Sequence, residues 1–184
     1  MDEVLWAIGR ASGVTALVLL TASVVLGILT RSGRPLPGLP RFAIVLVHRD
    51  VALAATAFVG LHVVTLLFDP LAQLSLTDLV VPFVGEFRPF WQGLGTVAFD
   101  LLLAVVITAL LRHRLGLRTY RAVHWLVYAM WPVAVLHGIG NGTDAGTGWF
   151  LVVTAVSVAA VAGAVWWRLS RWFVESSRSR QEVG

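Results

Sequence analysis

The stretch HRDVALAATAFVGLH, residues 48–62, sets two imidazoles at the ends of a run that is apolar or small apart from Arg49 and Asp50. Ionisable side chains are costly in a lipid-soluble segment, where they mark a functional site or face a polar partner. Fourteen residues separate His48 from His62. On an α-helix that spacing gives about 21 Å of rise and about 1400° of rotation, about 40° short of four turns, so both rings leave one face at two depths.

The rest of the chain has the same character. Of its 184 residues 58% are hydrophobic and 13% charged, with a mean hydropathy of +0.82. A soluble domain carries about a quarter of its residues as charges. So few charges cannot cover a water-facing surface, which implies an integral membrane protein. The absence of cysteine excludes disulfides, thiolate nucleophiles, iron–sulfur ligation by this chain and Cys-based zinc sites. All fourteen basic residues are arginine, a usage that fits a GC-rich bacterial genome. They lie between apolar spans, which assigns the net charge of +4 to membrane topology rather than to nucleic acid.

Five segments are long enough for the roughly 20 residues a helix needs to cross a bilayer core. They lie near residues 4–30, 42–68, 95–111, 120–138 and 149–167. The expectation is an all-α bundle of five transmembrane helices forming a single domain over residues 1–184, with a tail at 168–184. The first span opens on Asp2 and Glu3 instead of a basic region and is too long for a signal peptide. Arg31, Arg34, Arg41, Arg49, Arg112, Arg114, Arg118, Arg121, Arg168, Arg171, Arg178 and Arg180 fall on one side, against Arg10 and Arg88 on the other. The positive-inside rule then places the N-terminus outside and the C-terminus in the cytoplasm of a multi-pass protein of the cell membrane. The longest connector, DPLAQLSLTDLVVPFVGEFRPFWQG, predicts a short interfacial helix near residues 71–81 at the outer surface.

Four of the five histidines form two pairs, His48 with His62 on the second span and His124 with His137 on the fourth. Those spans run in the same direction, so His48 and His124 share one depth and His62 and His137 the other. Two facing imidazoles per layer, in a cysteine-free apolar bundle, are what axial ligation of a haem requires on both faces of its iron. The thirteen residues from His124 to His137 leave those rings about 140° out of phase on an ideal helix. Pro132 lies between them, and a distortion there is expected to bring both rings toward the second span. His113, in the basic sequence RHR, is excluded as a ligand.

The spacings H-x13-H (His48, His62) and, two helices later, H-x12-H (His124, His137) resemble the ferric reductase-like transmembrane domain family. That family includes the NADPH oxidases, the six-transmembrane metalloreductases and the haem membrane subunit of the bacterial periplasmic methionine-sulfoxide reductase system. The resemblance covers about residues 5–170. It implies two b-type haems, the cytoplasmic one on His48 and His124 and the outer one on His62 and His137. NADPH oxidases continue into a flavin and nicotinamide domain. Here the chain ends seventeen residues after Trp167 without a Gly-rich nucleotide fingerprint, so it is expected to take no hydride from NADPH by itself. Where the oxidases place an aromatic between the haems this chain has Met130, with Trp131 adjacent, and Met130, Trp131 and Phe58 are the inter-haem candidates.

Haem propionates call for cationic partners. Arg41, Arg49 and Arg121 are candidates on the cytoplasmic side and Arg10 and Arg88 on the outer side. Against that role, the cytoplasmic arginines equally serve topology, Arg10 equally suits an ion pair with Asp100, and Asp50 suits a local pair with Arg49. The connector GIGNGTDAGTG after His137 reads as a Gly-rich turn, and Gly9, Gly13 and Gly27 in the first span as sites of close helix approach.

The expected function is a two-haem transmembrane cytochrome b subunit, an oxidoreductase component inactive without a separate dehydrogenase partner. It would pass electrons from a cytoplasmic flavin or iron–sulfur reductase, or from quinol, to an outer acceptor such as ferric iron, oxygen or a flavin- or molybdenum-containing protein. The alternatives are a haem-stabilised anchor subunit of a redox complex and a haem-free proton-linked transporter. Scattered Ser23, Thr154 and Ser157 give the transporter little polar lining.

Overall fold

Helix α1, Asp2–Arg31, lies along α2, Arg41–Phe68, and the two make the most extensive helix pair of the computed structural model. Helix α3, Pro89–Leu110, packs on α5, Val127–Asn141; α6, Gly148–Leu169, packs on α1; and α4, Arg112–His124, follows α3 across Leu111. The structure describes residues 2–32, 40–173 and 175, and among these every regular element is helical. Arg34, Arg178 and Arg180 of the topology reading lie outside the described residues.

Helices α1, α2, α3 and α6 are each long and apolar enough to cross a membrane. Helices α4 and α5 are apolar enough only when taken together and are bent by 49° at their break, so among the described residues the chain, a multi-pass membrane protein, has four such helices, or five spans if the bent pair is one. Leu17, Leu20, Val24 and Ile28 repeat at helical spacing along α1 and meet Ala55, Leu102, Met130, Trp131, Val135 and Val161 in one core. Large apolar side chains such as Phe42, Leu53, Phe68, Val156 and Trp166 are exposed instead. Hydrocarbon is as apolar as the core, so close packing and polar pairs, rather than burial from water, hold these helices together.

The structure corrects the expectations for two segments. Residues 71–81 form hydrogen-bonded turns, not an interfacial helix. The cause is side-chain competition for the backbone. Asp69 accepts from the Leu71 N–H at 3.0 Å, and Asp78 accepts from the Ser75 N–H at 2.9 Å and its hydroxyl at 2.8 Å. Thr96 donates to the Asp78 carbonyl at 2.6 Å and ties these turns to α3. That helix starts at Pro89 rather than near residue 95, because proline at the first position presets the helical φ and lacks an N–H that would go unused.

The second correction concerns the fourth predicted span. Helix α5 continues through Pro132, and the break falls at Trp125 and Leu126. There the Leu126, Tyr128 and Ala129 amides bond carbonyls three residues back, those of Val123, Trp125 and Leu126. Such 3₁₀ winding turns about 120° per residue instead of 100°. Each tightened residue therefore recovers about 20° of the phase missing between His124 and His137, and the 49° bend reorients the rest.

Candidate functional site

The bent α4–α5 pair and α2 bring the histidines into two layers. The rings of His48 and His124 stand 6.3 Å apart between centroids at an interplanar angle of 85°, and those of His62 and His137 stand 6.4 Å apart at 77°. Helix α2 supplies one ring to each layer, the last residue of α4 supplies His124 and the later part of α5 supplies His137. His113 is exposed on α4 and takes part in neither.

The two layers differ in how their rings are held. His62 Nδ1 donates to the Gly9 carbonyl and His137 Nδ1 donates to the Trp91 carbonyl, both at 2.8 Å. A carbonyl only accepts, so both rings carry their proton on Nδ1 and leave Nε2 as the free lone pair. In the other layer Nδ1 of His48 and Nδ1 of His124 are buried without a hydrogen bond of ordinary geometry. The Ser23 backbone lies beside the His48 ring. The Tyr120 ring lies 5.3 Å from that of His124. Sequence reading passed over that contact, although a four-residue spacing on one helix signals it.

Between the layers lies Trp131, whose Nε1 donates to Thr21 Oγ1 at 3.0 Å. Thr21 sits on α1 between Gly13, against which His62 packs, and Gly27, against which His48 packs. Met130 and Trp131 are 2% and 7% exposed and belong to the core. Phe58 is half-buried and outside that cluster, so of the three candidates the two on α5 occupy the centre.

The arginines are distributed as follows. Arg41 donates to the Ser32 carbonyl at 2.9 Å, Arg88 to the Gly140 carbonyl at 3.1 Å, and Arg49 pairs with the adjacent Asp50 at 3.1 Å, both exposed. Arg121 is exposed on α4. Arg10 pairs with Asp144 through both its Nε and an Nη, not with Asp100, and its guanidinium lies 4.1 Å above the Trp6 ring. The sequence separation of 134 residues left that partner without a local signal.

Among the described residues no group of three or more His, Cys, Asp or Glu is arranged to hold a metal ion. The arrangement is thus two histidine pairs stacked along the axis of an apolar membrane bundle, which defines a helical membrane protein with paired imidazole sites. The chain belongs to the ferric reductase like transmembrane component family, whose model matches residues 12–135. The match takes in His48, His62, His124 and Trp131 and ends two residues before His137. No curated protein and no solved structure shows significant similarity to the chain.

Proposed function

We propose that the protein is a transmembrane cytochrome b subunit that carries two haems, one on His48 and His124 and one on His62 and His137, and passes electrons across the membrane. The separation of the ring pairs carries this reading. An imidazole nitrogen lies about 1.1 Å from its ring centre and binds a metal at about 2.0 Å, so two rings on opposite sides of one ion stand about 6.2 Å apart. The observed 6.3 and 6.4 Å agree with that value. Nitrogens facing across such a gap are about 4 Å apart, too far for a direct hydrogen bond. His48 with His124 and His62 with His137 would each hold the iron of one haem, whose porphyrin would supply the remaining donors that two imidazoles alone do not.

A bound haem supplies one-electron iron chemistry at each layer. The chain's own residues hold the imidazoles at fixed depth, keep water from the interior and line the path between layers with Met130 and Trp131. The buried Nδ1 atoms of His48 and His124, and the Nε2 lone pairs that the Nδ1–H bonds of His62 and His137 leave free, suit such a ligand set. Arg41, Arg49 and Arg121 stand at the His48 end, where they suit anionic propionates or a docking donor, and Arg88 stands at the other end. Arg10 is already engaged by Asp144. The charge bias puts the His48 and His124 layer toward the cytoplasm and the N-terminus outside. A cytoplasmic flavin or iron–sulfur reductase, or a quinol, would then reduce the inner layer, and ferric iron, oxygen or a redox protein would oxidise the outer one.

The test is a reduced-minus-oxidised absorption spectrum of the purified chain with haem counted per polypeptide. Close to two low-spin b haems support the proposal, and none after expression with ample haem rejects it. A His62→Ala variant that keeps the inner haem but no longer reduces an outer acceptor separates a conductor from an anchor.

A further inference from the structure

Two imidazoles meet the neighbouring helices in the same way, and a third comes close to doing so. His62 bonds the Gly9 carbonyl, and a Cβ on Gly13 would come within 2.9 Å of its ring. His137 bonds the Trp91 carbonyl, and a Cβ on Gly95 would come within 2.6 Å of its ring. In each case the glycine lies four residues after the acceptor. The Ser23 backbone and Gly27 flank His48 at the same spacing, but the glycine contact is looser, with a Cβ on Gly27 falling 3.3 Å from the ring.

The four-residue offset has a geometric cause. In a helix the amide of residue i+4 bonds the carbonyl of residue i, and Cβ at i+4 tilts back toward the N-terminus, over that same oxygen. A side chain at i+4 thus screens the second lone pair of the carbonyl from a ring on a neighbouring helix. Glycine at i+4 uncovers it, and one oxygen then serves both its own helix and the imidazole.

We infer that Gly13 and Gly95 are positioning residues that uncover the Gly9 and Trp91 carbonyls and thereby fix the His62 and His137 rings as Nδ1–H tautomers with Nε2 turned into their layer. This inference rests on the two-haem reading above. Gly27 does the same for His48 only weakly, and the Nδ1 atom of His124 has no hydrogen-bond partner at all. The position fourteen residues after Gly95, matching the step from Gly13 to Gly27, is Ala109. The two layers therefore differ in the outer support of their ligands. A carbonyl accepting from Nδ1–H makes the imidazole a more basic ligand, which favours the oxidised metal. The His62 and His137 layer is consequently the lower-potential centre of the two, and the asymmetry is produced by α1 and α3, which contribute no ligand.

The experiment uses the full chain in detergent as wild type, Gly95→Ala, Gly13→Ala, Gly27→Ala and Gly163→Ala. Nothing lies within 4 Å of a Cβ added at Gly163, which makes it the control. The readouts are haem per chain and the midpoints of an equilibrium redox titration. Gly13→Ala and Gly95→Ala are expected to raise the lower of two transitions, or to lose half or more of one haem per chain, with Gly95→Ala the more severe. Gly27→Ala shifts the upper transition by a smaller amount, and Gly163→Ala shifts neither. If Gly95→Ala does not accumulate, Gly13→Ala and Gly27→Ala carry the comparison. Both transitions unchanged at full haem load in Gly13→Ala and Gly95→Ala overturn the inference and leave the two-haem reading standing. A wild type without haem overturns that reading instead. The same series is then read by thermal unfolding, where Tm falling in the order Gly27, Gly13, Gly95 supports ring seating and equal Tm values overturn it.

Discussion

The indole N–H of Trp131 donates to the hydroxyl of Thr21 across the α1–α5 contact at 3.0 Å, at a depth between the two histidine pairs. The Thr21 hydroxyl donates in turn to the Leu17 carbonyl at 2.8 Å. Thr21→Val would leave a buried indole N–H without an acceptor, whereas Trp131→Phe leaves an oxygen that still makes a bond. Side-chain hydrogen bonds between membrane helices couple by about 0.6 kcal/mol on average and up to about 1.7. A double-mutant cycle of Thr21→Val and Trp131→Phe, followed by unfolding in mixed micelles, is therefore expected to return about 0.5–1.5 kcal/mol of coupling. A coupling indistinguishable from zero would remove the Thr21 contact as a restraint on the indole.

Ligands of one centre act as a unit. His62→Ala, His137→Ala and the double variant are each expected to hold about half the wild-type haem, the double no less than either single, and His48→Ala and His124→Ala are expected to remove the other half. His113→Ala, at an exposed position on α4, leaves the content unchanged. Haem per polypeptide by absorbance checks this, and a His62→Ala protein that keeps both haems contradicts the assigned pairs.

Arg10 joins α1 to the connector before α6 through Asp144, whose side chain is only 10% exposed against 33% for Arg10. Removing one partner of a buried ion pair costs about 3–5 kcal/mol, a value lowered here by the solvent that reaches the guanidinium. Arg10→Met strands the more buried partner as an uncompensated carboxylate. Its expected cost is about 1–3 kcal/mol, larger than that of Asp144→Asn, which keeps a hydrogen-bond acceptor. Unfolding midpoints of the two variants decide the order, and the reverse order would show that the arginine is the less tolerant member.

Two glycines respond in opposite directions. Gly116 interrupts α4 at φ 79°, ψ 158°, a conformation open to almost no other residue. Gly116→Ala is expected to destabilise the chain by about 1–3 kcal/mol. Gly163 lies within α6 with nothing near a new methyl group, so Gly163→Ala is expected to stabilise by about 0.5–1 kcal/mol. Thermal unfolding of both variants checks the contrast, which fails if Gly116→Ala is neutral.

Local pattern carried much of the architecture. Span length, apolar content and helical period belong to short windows of sequence, so α1, α2 and α6 came within two residues of their observed limits, and the common face of His48 and His62 followed from their spacing alone. The Arg49–Asp50 pair was equally legible, because the two are neighbours in the chain. The thirteen-residue spacing of His124 and His137 announced that the fourth span had to be distorted. The site of the distortion did not follow from it, since proline is only one way to disturb a helix and three tightened amide bonds at residues 123–129 were another.

What lay beyond the chain's own pattern depended on contacts between distant segments. Backbone carbonyls carry no residue signature, so the acceptors Gly9 and Trp91 became visible only once α1 and α3 lay against the imidazoles. The pairing of Arg10 with Asp144, and the burial of Trp131 rather than Phe58 in the core, depend on how the helices rotate about their axes. In a bilayer that rotation is set by close packing and a few polar pairs, because lipid and core are equally apolar and composition alone does not say which face turns inward.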